Sequence, residues 1–371
     1  MKLSTFLKIT PLLAGATLPF IPLYGSASGE GPVSSLSGKS SATTAATTAN
    51  TISSTSSSAL PPILGTEQYG SRILLLDSGC EDWDTPQALL WNWHPVFDTD
   101  GLPAQCIPWF GGITDAKPVL NMTHLLVTGS SGAVTLIRMK DKKTIFCVYS
   151  RGCHSAELLP DGNVVSAASG ADGKLELFDL STYDPLHPET VRHVSYPLPD
   201  IHGTVWDYEQ NCLWVDDADG ISRWEYERKP FPALKMTALY PVEKNRKFWG
   251  HDLFPVPGTR KLFLTGRSIV LFDTVSKTYT PFSRVVCKSI SQAFPGGPVI
   301  VAIPREQWWT DTVSLLKEDG KLQNFRTRKN MRFYKFRFFT HNEFSYGPLQ
   351  RGGASPGGGN ESDAGKASVG N

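Results

Sequence analysis

Three short histidine-containing segments recur at nearly equal intervals in the middle of the chain. His154, His202 and His251 are separated by 48 and 49 residues. Each histidine precedes a short apolar segment and a turn, and a second apolar segment begins about ten residues further on. An interval of about 40 to 50 residues that holds about four strands is typical of the blades of a β-propeller. The sequence therefore predicts an all-β fold in which each histidine begins the innermost strand of a blade.

Weaker copies of this pattern flank the three histidine segments. Residues 113–149 form one further predicted blade, and residues 288–326 form another. Both carry other polar residues at the histidine position, namely Thr114 or Asp115 in the first and Ser289 or Ser291 in the second.

Strands from both ends of the globular part complete the predicted ring. The apolar segments 72–77 and 88–93 lack an inner strand, and segment 331–339 lacks a blade. Joining the three gives one mixed blade, so we predict a six-bladed β-propeller closed by N- and C-terminal strands. Closure also removes sheet edges, which otherwise invite aggregation. Because the limits of the repeats are soft, five or seven blades remain open as alternatives.

The ends of the chain differ in composition from this middle part. A basic start followed by an apolar stretch predicts a signal peptide over residues 1–28. Residues 29–66 are rich in Ser and Thr, which predicts a disordered, O-glycosylated stalk, and the Gly-rich residues 347–371 predict a disordered tail. The propeller is then expected over residues 67–346, in a protein that is secreted to the extracellular space or the cell wall.

The charge of the chain narrows the classes of partner. The net charge is +1 and no basic stripe is present, so the sequence favours neither nucleic acid nor an anionic membrane surface as a partner. Beyond the signal peptide, no segment is predicted to span a bilayer. We expect a monomer.

Cysteines and glycosylation sequons agree with an oxidising compartment. The six cysteines permit up to three disulfides, and Cys80–Cys106 is a candidate pair because it spans a short, loop-like segment. Buried free thiols are the alternative. Asn121 and Asn360 each begin an Asn-x-Ser/Thr sequon, so both are predicted N-glycosylation sites.

The repeated histidines are the main candidates for a functional site. Inner strands of a propeller run side by side along the central channel, so equal positions of successive blades face one volume. His154, His202 and His251 are therefore predicted to converge at one mouth of the channel. Three imidazoles would bind a divalent metal, with manganese, zinc and calcium as candidates, or one would act as a general base. The alternative is structural, with each histidine capping backbone groups of the next blade.

Four carboxylates lie close to the histidines in the sequence. Beside the imidazoles they would orient the rings or act as acids. In the alternative interpretation they cap turns or accept hydrogen bonds from backbone amides. The four are Glu157, Asp207, Asp252 and Asp115.

Cations and aromatic rings supply further candidates. Lys335 and Arg337 lie two residues apart and share a face of the closing strand, where they would neutralise the carboxylate of a uronic acid. A solvated strand face is the alternative. Tryptophans near predicted loops would stack on sugar rings, although packing between blades is their commoner use. These are Trp83, Trp109, Trp249, Trp308 and Trp309.

Several segments resemble those of a family of secreted six-bladed propeller proteins of fungi and bacteria whose function is unknown. They are HSAELLPDGNVV (154–165), HGTVWD (202–207), GHDLFPVPG (250–258), Trp91–Trp93 and Tyr334–Arg337. The resemblance covers roughly residues 70–340. It implies the propeller fold and a secreted setting, and it carries no catalytic residues. The architecture is also similar to that of oligogalacturonate lyase, whose central site uses histidines and a metal, but no motif is shared.

These observations lead to one functional hypothesis and two alternatives. The hypothesis is a secreted carbohydrate-active enzyme, a metal-assisted lyase of uronic-acid glycans. A metal on the histidines, or Arg337 with Lys335, would stabilise the substrate carboxylate while one histidine removes the neighbouring proton. One alternative is a non-catalytic propeller that binds glycan or protein at the cell wall or surface. The other is a tailoring enzyme for a secreted small molecule. Each places a glycan or small-molecule ligand at the central channel.

Overall fold

Six four-stranded antiparallel sheets make up the part of the protein that the computed structural model describes, residues 59–349. The chain begins with three strands that later pair with the last one: β1 (Ile63–Glu67), β2 (Arg72–Leu76) and β3 (Leu89–Trp93). Blade 1 consists of β4 (Ile113–Val119), β5 (His124–Gly129), β6 (Ala133–Arg138) and β7 (Thr144–Tyr149). Blade 2 consists of β8 (Cys153–Leu158), β9 (Val164–Ala168), β10 (Lys174–Phe178) and β11 (His193–Pro197).

The remaining blades follow the same order along the chain. Blade 3 consists of β12 (Thr204–Asp207), β13 (Cys212–Asp216), β14 (Gly220–Glu227) and β15 (Ala233–Pro241). Blade 4 consists of β16 (Asp252–Pro255), β17 (Lys261–Thr265), β18 (Ile269–Asp273) and β19 (Thr278–Ser283). Blade 5 consists of β20 (Ser289–Gln292), β21 (Val299–Ala302), β22 (Thr312–Leu316) and β23 (Leu322–Thr327). Blade 6 has the order β24 (Phe333–Phe338), β1, β2, β3.

Short helices occur only between and after these strands in the described chain. Four are 3₁₀ turns, at Pro86–Ala88, Ala104–Phe110, Leu180–Thr182 and Pro188–Thr190. One turn of α-helix, α1 (Glu343–Tyr346), follows β24.

The inner strands of neighbouring blades contact one another in a closed ring. The contacts run from β4 through β8, β12, β16, β20 and β24 and back to β4. The predicted fold class is therefore confirmed: the protein is an all-β, six-bladed propeller that strands from both ends of the described chain close.

The hydrophobic core lies between the blades. Strands in the middle of a blade are buried on both faces because each sheet packs between two others, and every residue of β13 is buried. Aromatic rings bridge neighbouring blades, as Trp214 of blade 3 and Phe272 of blade 4 do at a centroid distance of 5.4 Å. Outer strands such as β15 instead expose much of their length. This packing leaves the central channel to polar side chains.

Blade 6 contains one strand that the sequence did not predict. β1 pairs with β24 on one side and with β2 on the other, and four of its five residues lie inside the range 29–66 that we assigned to the stalk. The propeller therefore begins at least four residues before residue 67. The segment follows a Ser/Thr-rich stretch, whose composition hid a strand of five residues. Gly65 is required there, since a Cβ atom would lie 2.8 Å from ring carbons of Phe333.

Several predictions concern residues at the ends of the chain. The signal peptide, the stalk up to residue 58, the tail from residue 350 onward and Asn360 lie outside the described residues. Asn121 is exposed in the turn between β4 and β5, and its glycosylation stays a prediction. Among residues 59–349, no helix is long and apolar enough to span a membrane.

The cysteines differ from the predicted pairing. All six lie between residues 59 and 349, and all are free thiols. Cys80 packs against the apolar cluster that contains Trp83, whereas Cys106 belongs to the separate cluster around Trp93. The predicted Cys80–Cys106 disulfide is therefore not formed, because the segment between the two residues contains β3 and carries them into different apolar clusters.

Candidate functional site

The three histidines lie at the start of the inner strands of blades 2, 3 and 4. His154 is the second residue of β8, His202 lies two residues before β12, and His251 lies directly before β16. The ring centroids of His154 and His202 are 4.8 Å apart, and those of His202 and His251 are 5.0 Å apart. The structure thus brings the three rings into one cluster. We call this end of the channel, where the inner strands begin, the histidine end and the opposite end the far end.

A β-bulge places His154 in this cluster. Cys153 pairs with Ala168 and Ser155 pairs with Ala167, so His154 is an extra residue in its strand. A bulge re-aims one side chain and often lies next to a functional site. Blade 1 has the same irregularity, with Thr114 as its extra residue.

Hydrogen bonds to carbonyl groups orient two of the imidazole rings. Nδ1 of His154 lies 2.8 Å from the carbonyl oxygen of Gly152, and Nδ1 of His202 lies 3.1 Å from that of Asp200. A carbonyl oxygen only accepts, so each Nδ1 carries the proton and each Nε2 keeps its lone pair. Nε2 of His202 is also 3.2 Å from the hydroxyl oxygen of Ser169.

The third ring meets a lysine. Nε2 of His251 lies 3.3 Å from Nζ of Lys288, and an ammonium group only donates, so this Nε2 also acts as an acceptor. Nδ1 of His251 is buried and has no partner among the described residues. All three histidines therefore present Nε2 as a hydrogen-bond acceptor.

The histidines are neutral at physiological pH. Burial, and then the ammonium groups of Lys335 and Lys288, lower the pKa of His154 to about 4 although its hydrogen bond to Gly152 opposes the shift. Burial and the same two lysines lower the pKa of His251 to about 3. Burial and the two neighbouring imidazoles hold the pKa of His202 well below its usual value. Because the imidazoles stay neutral, each offers a hydrogen-bond acceptor, and any of them is a candidate base.

Asp216 supports the histidine end from below. Its Oδ1 accepts hydrogen bonds from the backbone N–H groups of His202, at 3.0 Å, and of Gly203. Its Oδ2 is buried without a partner in the described chain, and a Cβ atom at Gly250 would lie 2.6 Å from it. Burial raises the pKa of Asp216 to about 7, although the two N–H groups oppose the shift. Asp216 therefore fixes the segment that precedes β12, and the segment that precedes β16 packs closely against it.

Lys335 and Arg337 are buried in an ion-pair network below the histidines. Arg337 donates to both oxygens of Asp115, at 2.9 Å each, and to both oxygens of Asp252, at 3.1 and 2.8 Å. Nζ of Lys335 lies 2.9 Å from Oδ1 of Asp252 and 3.5 Å from Oδ2 of Asp115. These contacts occupy the charged groups that we expected to meet a substrate carboxylate. The four residues join blades 1, 4 and 6 across the channel.

In this network, the attraction between opposite charges outweighs the effect of burial on the pKa of Asp115 and on that of Arg337. Burial alone would raise the pKa of Asp115, but Arg337 and then Lys335 outweigh it, and the pKa lies below its usual value. Burial alone would lower the pKa of Arg337, but Asp115 and Asp252 raise it. Both partners therefore stay ionised, and the network serves to close the ring.

Glu157 and Asp207 lie away from the histidines. Glu157 pairs with Lys117 at 3.1 Å and accepts a hydrogen bond from the hydroxyl of Tyr346. Asp207 accepts hydrogen bonds from Nε1 of Trp214, at 3.0 Å, and from Arg260. An inner strand rises about 3.3 Å per residue, so residues three to five positions after a histidine approach the far end. The structure does not bring these two carboxylates to the imidazoles.

The far end opens into a cavity of about 620 Å³. Lys117 and Tyr346 line it, together with the aromatic rings of Phe254, Phe294 and Phe344. The histidine cluster and this cavity are separate features at opposite ends of the inner strands.

The histidine cluster does not fit the predicted metal. Within residues 59–349, no group of three or more His, Cys, Asp or Glu side chains is arranged to hold a metal ion. The acceptor nitrogen of His251 faces the ammonium of Lys288, and Lys335 adds positive charge nearby. Such surroundings favour an anion over manganese, zinc or calcium.

The sequence missed the residues that complete the cluster. Lys288 lies directly before β20, as His251 lies directly before β16. The repeat alignment predicts Ser289 or Ser291 at this position, which is one to three residues too late. The ring of Tyr334 lies 5.9 Å from that of His154, because a register shift in β24 lets neighbouring residues face the channel. No local motif marks Asp216.

The candidate tryptophans divide into buried and exposed rings. Trp83 is fully buried, and Trp109 packs against Tyr149 at a centroid distance of 5.0 Å. Trp249 and Trp308 expose 49% and 47% of their surfaces. Packing therefore explains Trp83, whereas the exposed rings are free to meet a ligand.

Solved structures of similar fold do not indicate an activity for this chain. No curated protein matches the sequence. A protein of unknown function from Bacteroides caccae has 11% identity and a TM-score of 0.46, over 75% of this chain and 98% of its own. A candidate 6-phosphogluconolactonase from Bacteroides uniformis has 14% identity and a TM-score of 0.44, over 74% and 86%. Likeness at this level carries no argument about function.

The sequence itself matches a family directly. The profile of a family of unknown function covers residues 66–352, which is nearly the whole propeller. This match agrees with the segments around His154, His202 and His251 that resemble such a family. The chain therefore belongs to the family of unknown function DUF6528.

Proposed function

We propose that the protein is a secreted carbohydrate-active enzyme whose histidine end binds the carboxylate of a uronic-acid glycan and cleaves it as a lyase. The observation that supports the proposal is Lys288, a cation without a carboxylate partner among residues 59–349, next to three neutral imidazoles. The secretory route rests on the predicted signal peptide.

The charges along the channel support an anionic ligand. Lys117 is paired with Glu157, and Lys335 and Arg337 are shared between Asp115 and Asp252. Lys288 has no such partner in the described chain. Burial, and then repulsion from Lys335, lower its pKa. A partly buried ammonium without a counter-ion gains a charge-assisted hydrogen bond when a carboxylate binds.

The imidazoles supply a base in the right state. Nε2 of His154 has its lone pair free, because Nδ1 is tied to the carbonyl of Gly152. A pKa of about 4 makes a weak base in the free protein. A bound carboxylate places a negative charge beside the ring, which raises the pKa of His154 and strengthens it as a base. Substrate binding therefore activates the group that the reaction uses.

The proposed reaction is a β-elimination. Nε2 of His154 takes the proton from the carbon next to the carboxylate, and the released electron pair forms a carbon–carbon double bond. The bond between the next carbon and the glycosidic oxygen breaks. The imidazolium formed in this step returns the proton to the leaving oxygen, so His154 ends the reaction neutral. Lys288 stabilises the charge that builds on the carboxylate before the bond breaks.

The test is an absorbance assay for the unsaturated product. The purified protein is incubated with polygalacturonate, glucuronan and gum fragments, alongside His154→Ala and Lys288→Met. His187→Ala is the matched control, because His187 is 65% exposed at its side chain and lies in the loop after β10. Turnover by the wild type and the control, with loss in the two variants, would support the lyase. Binding without turnover across the panel would favour a glycan-binding propeller, and neither binding nor turnover would remove the proposal.

A further inference from the structure

We infer that a cleft beside the histidine end is a subsite for further sugar units of the same glycan. Trp308 is its aromatic platform, at the edge of the cleft, where its ring lies 4.6 Å from that of the lining residue Trp309. The inference rests on the proposed function, since it extends the site from one acidic sugar to a chain. The cleft has a volume of about 500 Å³. It is lined by Tyr69, Arg305, Glu306, Trp309, Asp311 and Arg332.

Two short connections attach the cleft to the histidine end. The N–H group of Lys288 donates to the carbonyl of Ala302 at 2.8 Å, and Arg305 follows Ala302 by three residues. On the other side, Arg332 lies two residues before Tyr334, and the ring of Tyr334 contacts that of His154. An extended chain advances at most about 3.6 Å per residue. Arg305 therefore lies within about 11 Å of Ala302, and Arg332 within about 7 Å of Tyr334, measured between Cα atoms.

The aromatic rings are fixed through their polar edges. The indole N–H of Trp308 donates to Oε1 of Gln68 at 3.0 Å, and that of Trp309 donates to the same oxygen. The amide nitrogen of Gln68 donates to the carbonyl of Ile113 at 3.2 Å, which fixes the orientation of the amide. The two indole rings lie 4.6 Å apart. Because the ring of Trp309 packs against Trp308 and the guanidinium of Arg332, the free ring surface of this pair belongs mainly to Trp308.

Two aromatic rings of this region are exposed and available to a ligand. Trp308 is 47% exposed and Tyr69 is 76% exposed. The guanidinium of Arg332 lies 4.8 Å from the ring centre of Trp309 and 5.2 Å from that of Tyr69. This arrangement forms a rigid surface with apolar rings and donors side by side. A pyranose ring matches it, because one of its faces carries C–H bonds and its rim carries hydroxyl groups.

The charges of the cleft balance, in contrast to those at the histidine end. Arg332 pairs with Glu306 at 2.9 Å, and Arg305 pairs with Asp311 at 3.8 Å. Paired groups bind hydroxyls without demanding a charge on the ligand. The cleft is thus suited to ring stacking and hydroxyl contacts, and Lys288 to the carboxylate of the reacting sugar.

The experiment measures affinity against chain length by titration calorimetry. Galacturonate oligomers of one, three and six units and the neutral chain cellohexaose are titrated into wild type, Trp308→Ala and Lys288→Met. Tyr208→Ala is the control, because Tyr208 is 56% exposed and contacts the segment after β24 at the far end. We expect Trp308→Ala to weaken the six-unit chain about fivefold or more and to leave the single unit unchanged.

The outcomes separate this inference from the proposed function. If Lys288→Met weakens all galacturonate chains and Trp308→Ala weakens none, the cleft is not a subsite and the carboxylate site stands. If the cellohexaose affinity depends on Trp308 while Lys288→Met has no effect on any chain, the cleft binds sugar and the carboxylate site fails. If no chain binds, both are overturned.

Discussion

Nζ of Lys288 lies 3.3 Å from Nε2 of His251, and this contact joins blades 4 and 5 at the histidine end of the channel. The acceptor nitrogen of a neutral imidazole satisfies one ammonium proton and adds no negative charge. In the described chain, Lys288 therefore has no carboxylate as a counter-ion, whereas Lys335 pairs with Asp252 and Asp115.

Replacement of Lys288 should weaken acidic ligands. We expect Lys288→Met to lower the affinity for a galacturonate trimer about tenfold or more, since a charge-assisted hydrogen bond contributes about 1.5 to 3 kcal/mol. Titration calorimetry measures the change, and Lys140→Met serves as a control because Lys140 is exposed in the turn after β6. Equal affinities for the two variants would show that Lys288 does not meet the carboxylate.

The neutral state of His154 should make stability depend on pH. The pKa of His154 is about 4 in the folded protein, against 6.5 for an ordinary histidine. Between these values the unfolded chain binds a proton at this side chain and the folded protein does not. The free energy of unfolding therefore falls as the pH falls from about 6.5 to about 4. His154→Gln removes this effect.

Denaturant unfolding of the two proteins across this range measures the difference. Wild type should lose about 1 to 3 kcal/mol relative to His154→Gln as the pH falls. Parallel curves would mean that His154 titrates at its ordinary pKa and is not shielded by burial.

Asp216 should produce the opposite trend. Its pKa is raised to about 7, so between about 4 and 7 the folded protein holds a proton that the unfolded chain has lost. Wild type should therefore lose about 2 to 4 kcal/mol relative to Asp216→Asn as the pH rises through this range, with no further change above it. Thermal unfolding at a series of pH values measures this, and a difference that does not depend on pH would refute the raised pKa.

Arg337 should matter for the fold more than for the ligand. Removal of the guanidinium leaves the buried carboxylates of Asp115 and Asp252 without their main counter-charge, which costs about 3 to 5 kcal/mol. Arg337→Met should lower the unfolding free energy by this amount, and Arg228→Met, at an exposed position on the loop before β15, should leave it unchanged. A loss below about 1 kcal/mol would show that the network does not hold the ring together.

The sequence predicted the fold well because the repeat carries long-range information. Equal spacing of His154, His202 and His251 gave the blade period, and the period gave the closed ring. β1 was not predicted because its five residues adjoin a Ser/Thr-rich stretch and its partner strand β24 is distant in the sequence. Glu67 and Phe333, which pair, are 266 residues apart. Pairing over such a distance leaves no local pattern.

The site was predicted in part, for a related reason. Register alone placed three imidazoles at one end, but it could not show which charges are already paired. Lys335 and Arg337 share a face, as the alternation of a strand requires, yet that face meets Asp115 and Asp252 instead of solvent. Lys288 was not predicted because the limits of the repeat in blade 5 are poorly marked in the sequence. The alignment of that blade is therefore wrong by at least one residue.

The most direct test of the account is a crystal structure with a bound galacturonate trimer. The account predicts a sugar carboxylate within hydrogen-bonding distance of Nζ of Lys288 and the neighbouring carbon facing Nε2 of His154. A trimer held in the far-end cavity beside Lys117, with the histidine end empty of sugar, would contradict it.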